Sequence, residues 1–306
     1  MKVLIATEKP FAKDAVDQIE AIFAEAKYEV QRLEKYSDKS ELLAAVADVD
    51  ALIIRSDKVT AEVLEAAKSL KIVVRAGAGF DNVDLGAATQ NGVVVMNTPG
   101  QNSNAVAELV LGMMIYMNRN GFTAGTGSEI IGKTLAIHAF GNVGKLVARK
   151  GKALGMKVIA FDPFVTDEVF AQEGVEKVGS IEELYKRADA LSLHIPATEQ
   201  TKKSIGYELM GLMPKGAVLI NTARKEVIDE EGVMKIMAER TDLRYITDIA
   251  PALSSEMSEA FGKRYFATPK KMGAETAEAN INAGAAAARQ IVGFLESGDK
   301  TFQVNK

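Results

Sequence analysis

Short runs of aliphatic and β-branched residues alternate along this chain with longer stretches in which apolar positions recur every three or four residues. VLIA (Val3–Ala6), ALIIR (Ala51–Arg55), IVVRAG (Ile72–Gly77) and VVVMN (Val93–Asn97) read as strands, with helical spacing over Phe11–Ala26, Lys39–Ala47 and Ala61–Ser69 between them. Strands that alternate with helices and are apolar throughout indicate a parallel sheet covered on both faces. Next comes Ala105–Asn120, a long, Met-rich and nearly all-apolar helix, which must be buried in the core or against another subunit. A Gly/Thr-rich connection, Gly121–Ser128, leads into a second series of strands: KTLAIHAF, MKVIAFD, ALSLHIP, AVLINTA and RYITDIA. The Ala-rich stretch Thr276–Leu295 reads as a helix returning to the first unit, so the chain crosses between domains twice. The expected class is α/β: two doubly wound, Rossmann-like parallel sheets, one over residues 1–98 and 277–306 and the other over 99–276.

Composition narrows the function. With 306 residues, 47% hydrophobic and 25% charged, the chain can bury two ordinary cores. The longest apolar run, around Leu109–Met117, is too short to span a bilayer, and the MKVLIATEKP start reads as a first strand rather than a signal peptide. Absence of cysteine removes thiol nucleophiles and thiolate metal sites, suits a reducing cytoplasm, and leaves any redox chemistry to a cofactor. No metal site is expected. A net charge of −4 with dispersed lysines offers no basic face for nucleic acid.

Lys133–Asp162 carries the densest signal: strand, glycine-containing turn, amphipathic helix, strand, aspartate. This is the dinucleotide-binding order. Within Phe140, Gly141, Asn142, Val143 and Gly144, the first glycine lets backbone approach a pyrophosphate and the second lets the helix pack on the sheet. Ala139 stands where the fingerprint has its first glycine. Asp162, eighteen residues beyond Gly144 and followed by Pro163, suits a carboxylate that grips ribose hydroxyls and repels a 2′-phosphate, favouring NAD over NADP. A strand-capping aspartate is the alternative.

Several segments in order resemble the D-isomer-specific 2-hydroxyacid dehydrogenase family, most closely its short D-3-phosphoglycerate dehydrogenases. They are RAGAGFDNVD (Arg75–Asp84), NTPGQNSNAVAELVLGMM (Asn97–Met114), AFGNVG with FDP, LHIPATEQTKKSIG (Leu193–Gly206), LINTARKEVID (Leu219–Asp229) and ATPKKMGAET (Ala267–Thr276). The resemblance implies a substrate domain from the N-terminal unit plus the last helix, a nicotinamide domain between them, and an active site in the cleft. It places the substrate carboxylate on the amides of Gly77, Ala78 and Gly79, with Asn102 lining the pocket. Arg55 and Ser56 match the phosphate position, although Arg55 reads equally as a solvated strand-end arginine. His194, Ile195 and Pro196 match the segment flanking the cofactor, as do Thr222 and Ala223, and Asp248 matches the carboxylate for the nicotinamide carboxamide. Dimerisation through the 105–120 helix is implied as well.

Oxidising a 2-hydroxy acid needs a base for the hydroxyl proton and a fixed cation beside the forming carbonyl. Arg224, at the carboxyl end of AVLINTA, fits the second need. The family's acid/base histidine, after a late Thr-Pro, is here Lys270, and its partner glutamate is replaced by Leu253, with Glu256 the nearest acid. His138 and His194, the only histidines, fall in or at the ends of cofactor-sheet strands. The expectation is that Lys270 transfers the proton, buried beside Arg224 so that its pKa drops from about 10.4, with Lys271 the fallback one residue along. Two other readings stay open: a glyoxylate or hydroxypyruvate reductase, which does not need Arg55, and a non-catalytic NAD-sensing protein. Because the chain stops at Lys306, no regulatory domain and no serine feedback are expected.

Overall fold

In a computed structural model, which describes residues 1–305, the apolar runs of the N-terminal part become β1 (Lys2–Thr7), β3 (Ala51–Ile54), β4 (Ile72–Arg75) and β5 (Val94–Asn97). A further strand, β2 (Glu29–Glu34), lies where no strand was expected. Its sequence EVQRLE contains no fully buried residue, because it occupies a sheet edge where charged side chains are tolerated and blunt the edge against pairing. The five strands are parallel in the order β2-β1-β3-β4-β5, so the chain reverses its direction of winding between β1 and β3.

This sheet is packed on both faces. One face carries Val3, Ile5, Ile53, Ile72 and Val74 under the helices Lys13–Glu25 and Ala277–Ser297. The other carries Leu4, Leu52, Ile54 and Val73 under shorter helices. The helix Ala277–Ser297 starts at Thr276, whose side chain accepts from Ala279 N. It lies close against Lys13–Glu25, since a Cβ at Gly284 would stand 2.8 Å from Ile19 Cδ1. Beyond it the chain adds to the β5 edge: Gln303 bridges Met96 antiparallel, and buried Asn305 bonds Val95 N, Val93 O and Thr89 Oγ1.

The second sheet has seven parallel strands in the order β12-β11-β10-β9-β6-β7-β8: β6 (Thr134–His138), β7 (Lys157–Phe161), β8 (Glu176–Lys177), β9 (Ala190–Leu193), β10 (Val218–Asn221), β11 (Arg244–Thr247) and β12 (Tyr265–Ala267). The winding reverses at β6, which pairs with β7 on one side and β9 on the other, the point where an open α/β sheet binds ligands at its carboxyl edge. The Met-rich helix runs Ser103–Asn118, burying Ala107, Val110, Met113, Met114 and Met117 in the core of this sheet.

The chain divides into two units, Met1–Asn102 joined by the segment from Glu275 onward, and Ser103–Ala274. Lys306, part of the expected first domain, lies outside the described residues. No helix among the described residues is long and apolar enough to cross a membrane.

Candidate active site

In the second unit the dinucleotide motif forms a strand, a tight turn and the helix Asn142–Ala153. The glycine positions differ in what they require. A Cβ on Gly144 would stand 2.4 Å from the Ala139 carbonyl oxygen, so only glycine lets the helix settle on the turn, whereas a Cβ on Gly141 would meet nothing within 4 Å. Gly141 caps the helix without a side-chain bond, and the positive dipole end of such a helix N-terminus favours an anion. Ala139 takes φ +80°, the left-handed conformation that normally calls for the glycine it replaces.

Phe140 serves the turn differently from its neighbours. Its ring is buried, stacked on Phe170 at 4.6 Å, and its amide donates to Asp162 Oδ2 at 2.8 Å. Asp162 Oδ1 accepts from Phe164 N at 2.9 Å, so the carboxylate ties the turn after β6 to the turn after β7. A carboxylate has about four acceptor positions, and two here remain for other donors. Asn142 is exposed, Val143 half-buried and Pro163 exposed.

At the carboxyl end of β9, His194 is half-buried, with Nε2 2.9 Å from Ser192 Oγ, while the Ile195 side chain belongs to the core and Pro196 is exposed. His138, at the end of β6, is 6% exposed, with Nδ1 3.4 Å from Tyr185 Oη. Burial disfavours the charged imidazole, pushing His138 down to about 4 and His194 to about 3. Neither is placed to exchange protons near neutrality.

The loops after β10 and β12 hold two cations, Arg224 and Lys271, and the loop after β11 holds Asp248. Asn221, fully buried, shapes the loop by accepting from Ala223 N and donating to Arg224 O. Arg224 Nη1 donates to the Ala223 carbonyl at 3.0 Å, and Lys271 Nζ donates to the same oxygen at 2.7 Å. Lys271 Nζ is also 3.9 Å from Asp248 Oδ1. Asp248 is fully buried; its Oδ2 accepts from Gly273 N at 2.8 Å, and its Oδ1 accepts no hydrogen bond. Thr222 Oγ1 is likewise buried without a partner.

Burial of Lys270 beside Arg224 is therefore corrected. Lys270 is exposed and contributes only its carbonyl, which accepts from Thr268 Oγ1 at 2.7 Å. That bond closes the Thr-Pro turn and aims the next side chain, Lys271, at Ala223. The absence of the family glutamate has a structural counterpart. Leu253 begins the helix Ser254–Phe261, and the loop before it is held by Glu230, which accepts from Ala252 N and Leu253 N. Glu256 is exposed.

In the first unit the corresponding residues gather at the switch between β1 and β3. Buried Asp57 accepts from Glu8 N, Tyr36 Oη and Arg55 N, fixing the Arg55–Ser56 turn. The Arg55 guanidinium donates to Lys9 O and Pro10 O and lies over the Phe11 ring at 5.2 Å; Ser56 is exposed. Gly77 has φ +149°, Gly77 O accepts from Thr98 N, and Ala78 O accepts from Asn97 Nδ2, so the Gly77–Gly79 loop is anchored through its carbonyls. Asn102 is half-buried just before the helix Ser103–Asn118.

Arg75 was missed by sequence reasoning. Its Nε donates to Arg55 O, and a Cβ on Gly77 would fall 1.6 Å from its Nη1, so the guanidinium lies directly on that glycine. The signal was present as an arginine closing a strand before a glycine-rich turn, but one-dimensional spacing does not say that it folds back. Thr7 and Thr98, at the ends of β1 and β5, are further buried hydroxyls without partners. Among the described residues, no cluster of three or more acidic or histidine side chains is arranged to hold a metal.

The set in the second unit fits a dinucleotide: a helix N-terminus without a side-chain cap for a pyrophosphate, Asp162 for a diol, and the Thr222 hydroxyl and Asp248 Oδ1, neither of them in a hydrogen bond, for amide or hydroxyl donors. Comparison with known proteins agrees. The sequence model of the D-isomer specific 2-hydroxyacid dehydrogenase catalytic domain matches residues 3–305. A D-3-phosphoglycerate dehydrogenase of Methanocaldococcus jannaschii is 38% identical over 270 residues, 83% of this chain and 51% of that protein. A hydroxypyruvate reductase of Thermotoga maritima is 35% identical over 278 residues, 84% of this chain and 89% of that one. The chain thus spans about half the length of the first relative and most of the second. A crystal structure of NAD+-bound 3-phosphoglycerate dehydrogenase from Entamoeba histolytica superposes with a TM-score of 0.91 at 50% identity, covering 100% of this chain and 99% of that one. This chain belongs to the D-isomer-specific 2-hydroxyacid dehydrogenase family.

Proposed function

We propose that this protein oxidises D-3-phosphoglycerate to 3-phosphohydroxypyruvate with NAD, the step that commits carbon to serine biosynthesis, in the cytoplasm. The observation that carries the chemistry is the single Ala223 carbonyl holding both Arg224 and Lys271, next to the buried Asp248. Bound NAD supplies the hydride acceptor. Residues Gly141–Gly144 take its pyrophosphate and Asp162 its ribose, with His194–Pro196, Thr222 and Ala223 flanking it and Asp248 accepting from the carboxamide.

In this reading Lys271 accepts the substrate hydroxyl proton as hydride leaves the same carbon, and Arg224 anchors the carboxylate and stabilises charge on the forming carbonyl. Lys271 is 40% exposed, which gives the proton a path to solvent. The Gly77–Gly79 amides and Asn102 take the carboxylate, and Arg55 with Ser56, helped by Arg75, takes the phosphate. Two guanidinium-bearing strand ends side by side suit a doubly charged group.

A reductase acting on hydroxypyruvate is the second reading, favoured by the Thermotoga maritima relative, which matches this chain over 89% of its own length. The deciding experiment measures initial rates with the 3-phosphoglycerate pair, the glycerate/hydroxypyruvate pair and glyoxylate over pH 6–10, for wild type, Arg55→Ala, Lys270→Ala and Lys271→Ala. Preference for the phosphorylated pair, lost in Arg55→Ala, is expected. Lys271→Ala should lose at least a hundredfold in kcat, with Lys270→Ala near wild type. Oxidation should rise toward alkaline pH. Turnover of unphosphorylated acids alone supports the reductase, and NADH binding without any turnover supports a sensor.

A homodimer is part of the proposal. Half-buried Ile115 of the helix Ser103–Asn118 lines a groove with Ile130, Ile131 and Leu154, rimmed by Asn118, Arg119, Ser128 and Glu129. Ile131 is 65% exposed, a surface that a second copy would cover.

A further inference from the structure

Phe164 is 93% exposed, the most exposed large hydrophobic side chain among the described residues. Exposed phenylalanine on a loose loop needs no explanation, but this loop is held at each step. Phe164 N donates to Asp162 Oδ1 at 2.9 Å, the Val165 carbonyl accepts from Lys177 Nζ at 3.0 Å, and the Val165 side chain packs on the core. The helix Asp167–Glu173 then starts from Thr166. The backbone is thus fixed while the ring stands in water. Phe122, the next most exposed aromatic, differs in meeting Tyr116 edge-on at 5.3 Å, whereas Phe164 has no ring partner among the described residues.

Resting on the cofactor reading above, we propose that Phe164 is the stacking platform for the purine base of the dinucleotide. The carboxylate that holds the Phe164 amide is the one assigned to the adenosine ribose. In a nucleoside the base leaves the carbon adjacent to the 2′-hydroxyl, so a ribose bound to Asp162 carries its base within a few ångströms of that carboxylate. Two residues of chain span at most ~7 Å, which puts the Phe164 ring within reach of the base. Aromatic faces stack on bases without needing a hydrogen-bond code, and the backbone that carries this one is already fixed. Asp162 therefore acts twice, as the ribose acceptor and as the clamp that positions the ring.

The test compares NADH with reduced nicotinamide mononucleotide, which lacks the adenosine, by calorimetric titration of the full chain. Phe164→Ala should weaken NADH about tenfold and leave the mononucleotide unchanged. The chain contains no tryptophan, so Phe164→Trp introduces a single reporter whose fluorescence should be quenched by ADP-ribose while NADH affinity is kept. Equal NADH affinity in wild type and Phe164→Ala, or an indole signal indifferent to ADP-ribose, overturns the proposal while leaving the cofactor reading intact. A change in sedimentation of Phe164→Ala without a change in NADH affinity also overturns it, assigning the ring to contact with a second copy. Failure of the wild-type protein to bind NADH overturns the cofactor reading itself and this proposal with it.

Discussion

Lowering the pH from 7 to 5 should destabilise the second unit far more than ordinary surface titration can explain. His138 and His194 are the only histidines in the chain, and burial lowers both from 6.5, to about 4 and about 3 respectively. Asp162 pulls His138 the other way, but more weakly than desolvation pushes. The sign follows from proton counting. Between the folded and unfolded pKa values the unfolded chain binds protons that the folded one refuses, so stability is complete above pH 6.5 and falls as the pH drops below it. At pH 5 an unfolded imidazole is almost fully charged, whereas a folded one at about 4 is charged in only about a tenth of molecules. The difference costs about 2 kcal/mol for His138, and half-buried His194, lowered by burial and by repulsion from His138, adds up to about as much. Carboxylates contribute little in this window because their unfolded values lie near 4. Urea unfolding of the cofactor-free protein at pH 7, 6 and 5, followed by far-UV circular dichroism and tyrosine fluorescence, reads the loss directly. His138→Asn and His194→Asn should each remove about half of the pH dependence, whatever they cost at pH 7. A stability unchanged to within about 0.5 kcal/mol between pH 7 and 5, or a slope that survives in the double variant, would refute the burial argument.

Three substitutions test the turns. Gly144→Ala puts a methyl against an immovable carbonyl and should cost about 1–3 kcal/mol while weakening NADH at least tenfold; a thermal melt with an NADH titration checks both. Gly77→Ala meets positive φ and the Arg75 guanidinium together, so KM for 3-phosphoglycerate should rise at least tenfold with NADH affinity unchanged, which steady-state kinetics would show. Asn305→Ala strands Val95 N and Val93 O, both buried, and should destabilise the first unit by about 1–3 kcal/mol in urea without altering NADH affinity.

Much of the candidate site was legible in one dimension because its parts are contiguous. The turn from His138 to Gly144, the aspartate ending β7, and the arginine closing the NTAR segment lie at strand ends, and strand ends follow from hydrophobic runs. Residues such as Phe140 and Ile195 stand in those segments yet turn their side chains into the core, since a motif marks a stretch of backbone and not the direction of each side chain. Arg75 shows the converse: present in a recognised segment, it was passed over because its importance comes from folding back onto Gly77.

The sequence by itself determined the α/β class, the two series of strands, the dinucleotide turn, and the pair of lysines after the late Thr-Pro, where the family resemblance implies a histidine. All of these rest on periodicity, on glycine at a turn or on residue identity, which are local properties. Tertiary structure alone decided the edge strand β2, whose polar sequence carries no burial pattern, and the order of strands that brings His138 beside the β9 end. It also decided which of two adjacent lysines reaches the Ala223 carbonyl that Arg224 binds. A one-residue change of register reverses where a side chain points, and here a single bond from Thr268 Oγ1 to the Lys270 carbonyl leaves Lys270 in solvent and carries Lys271 to Ala223.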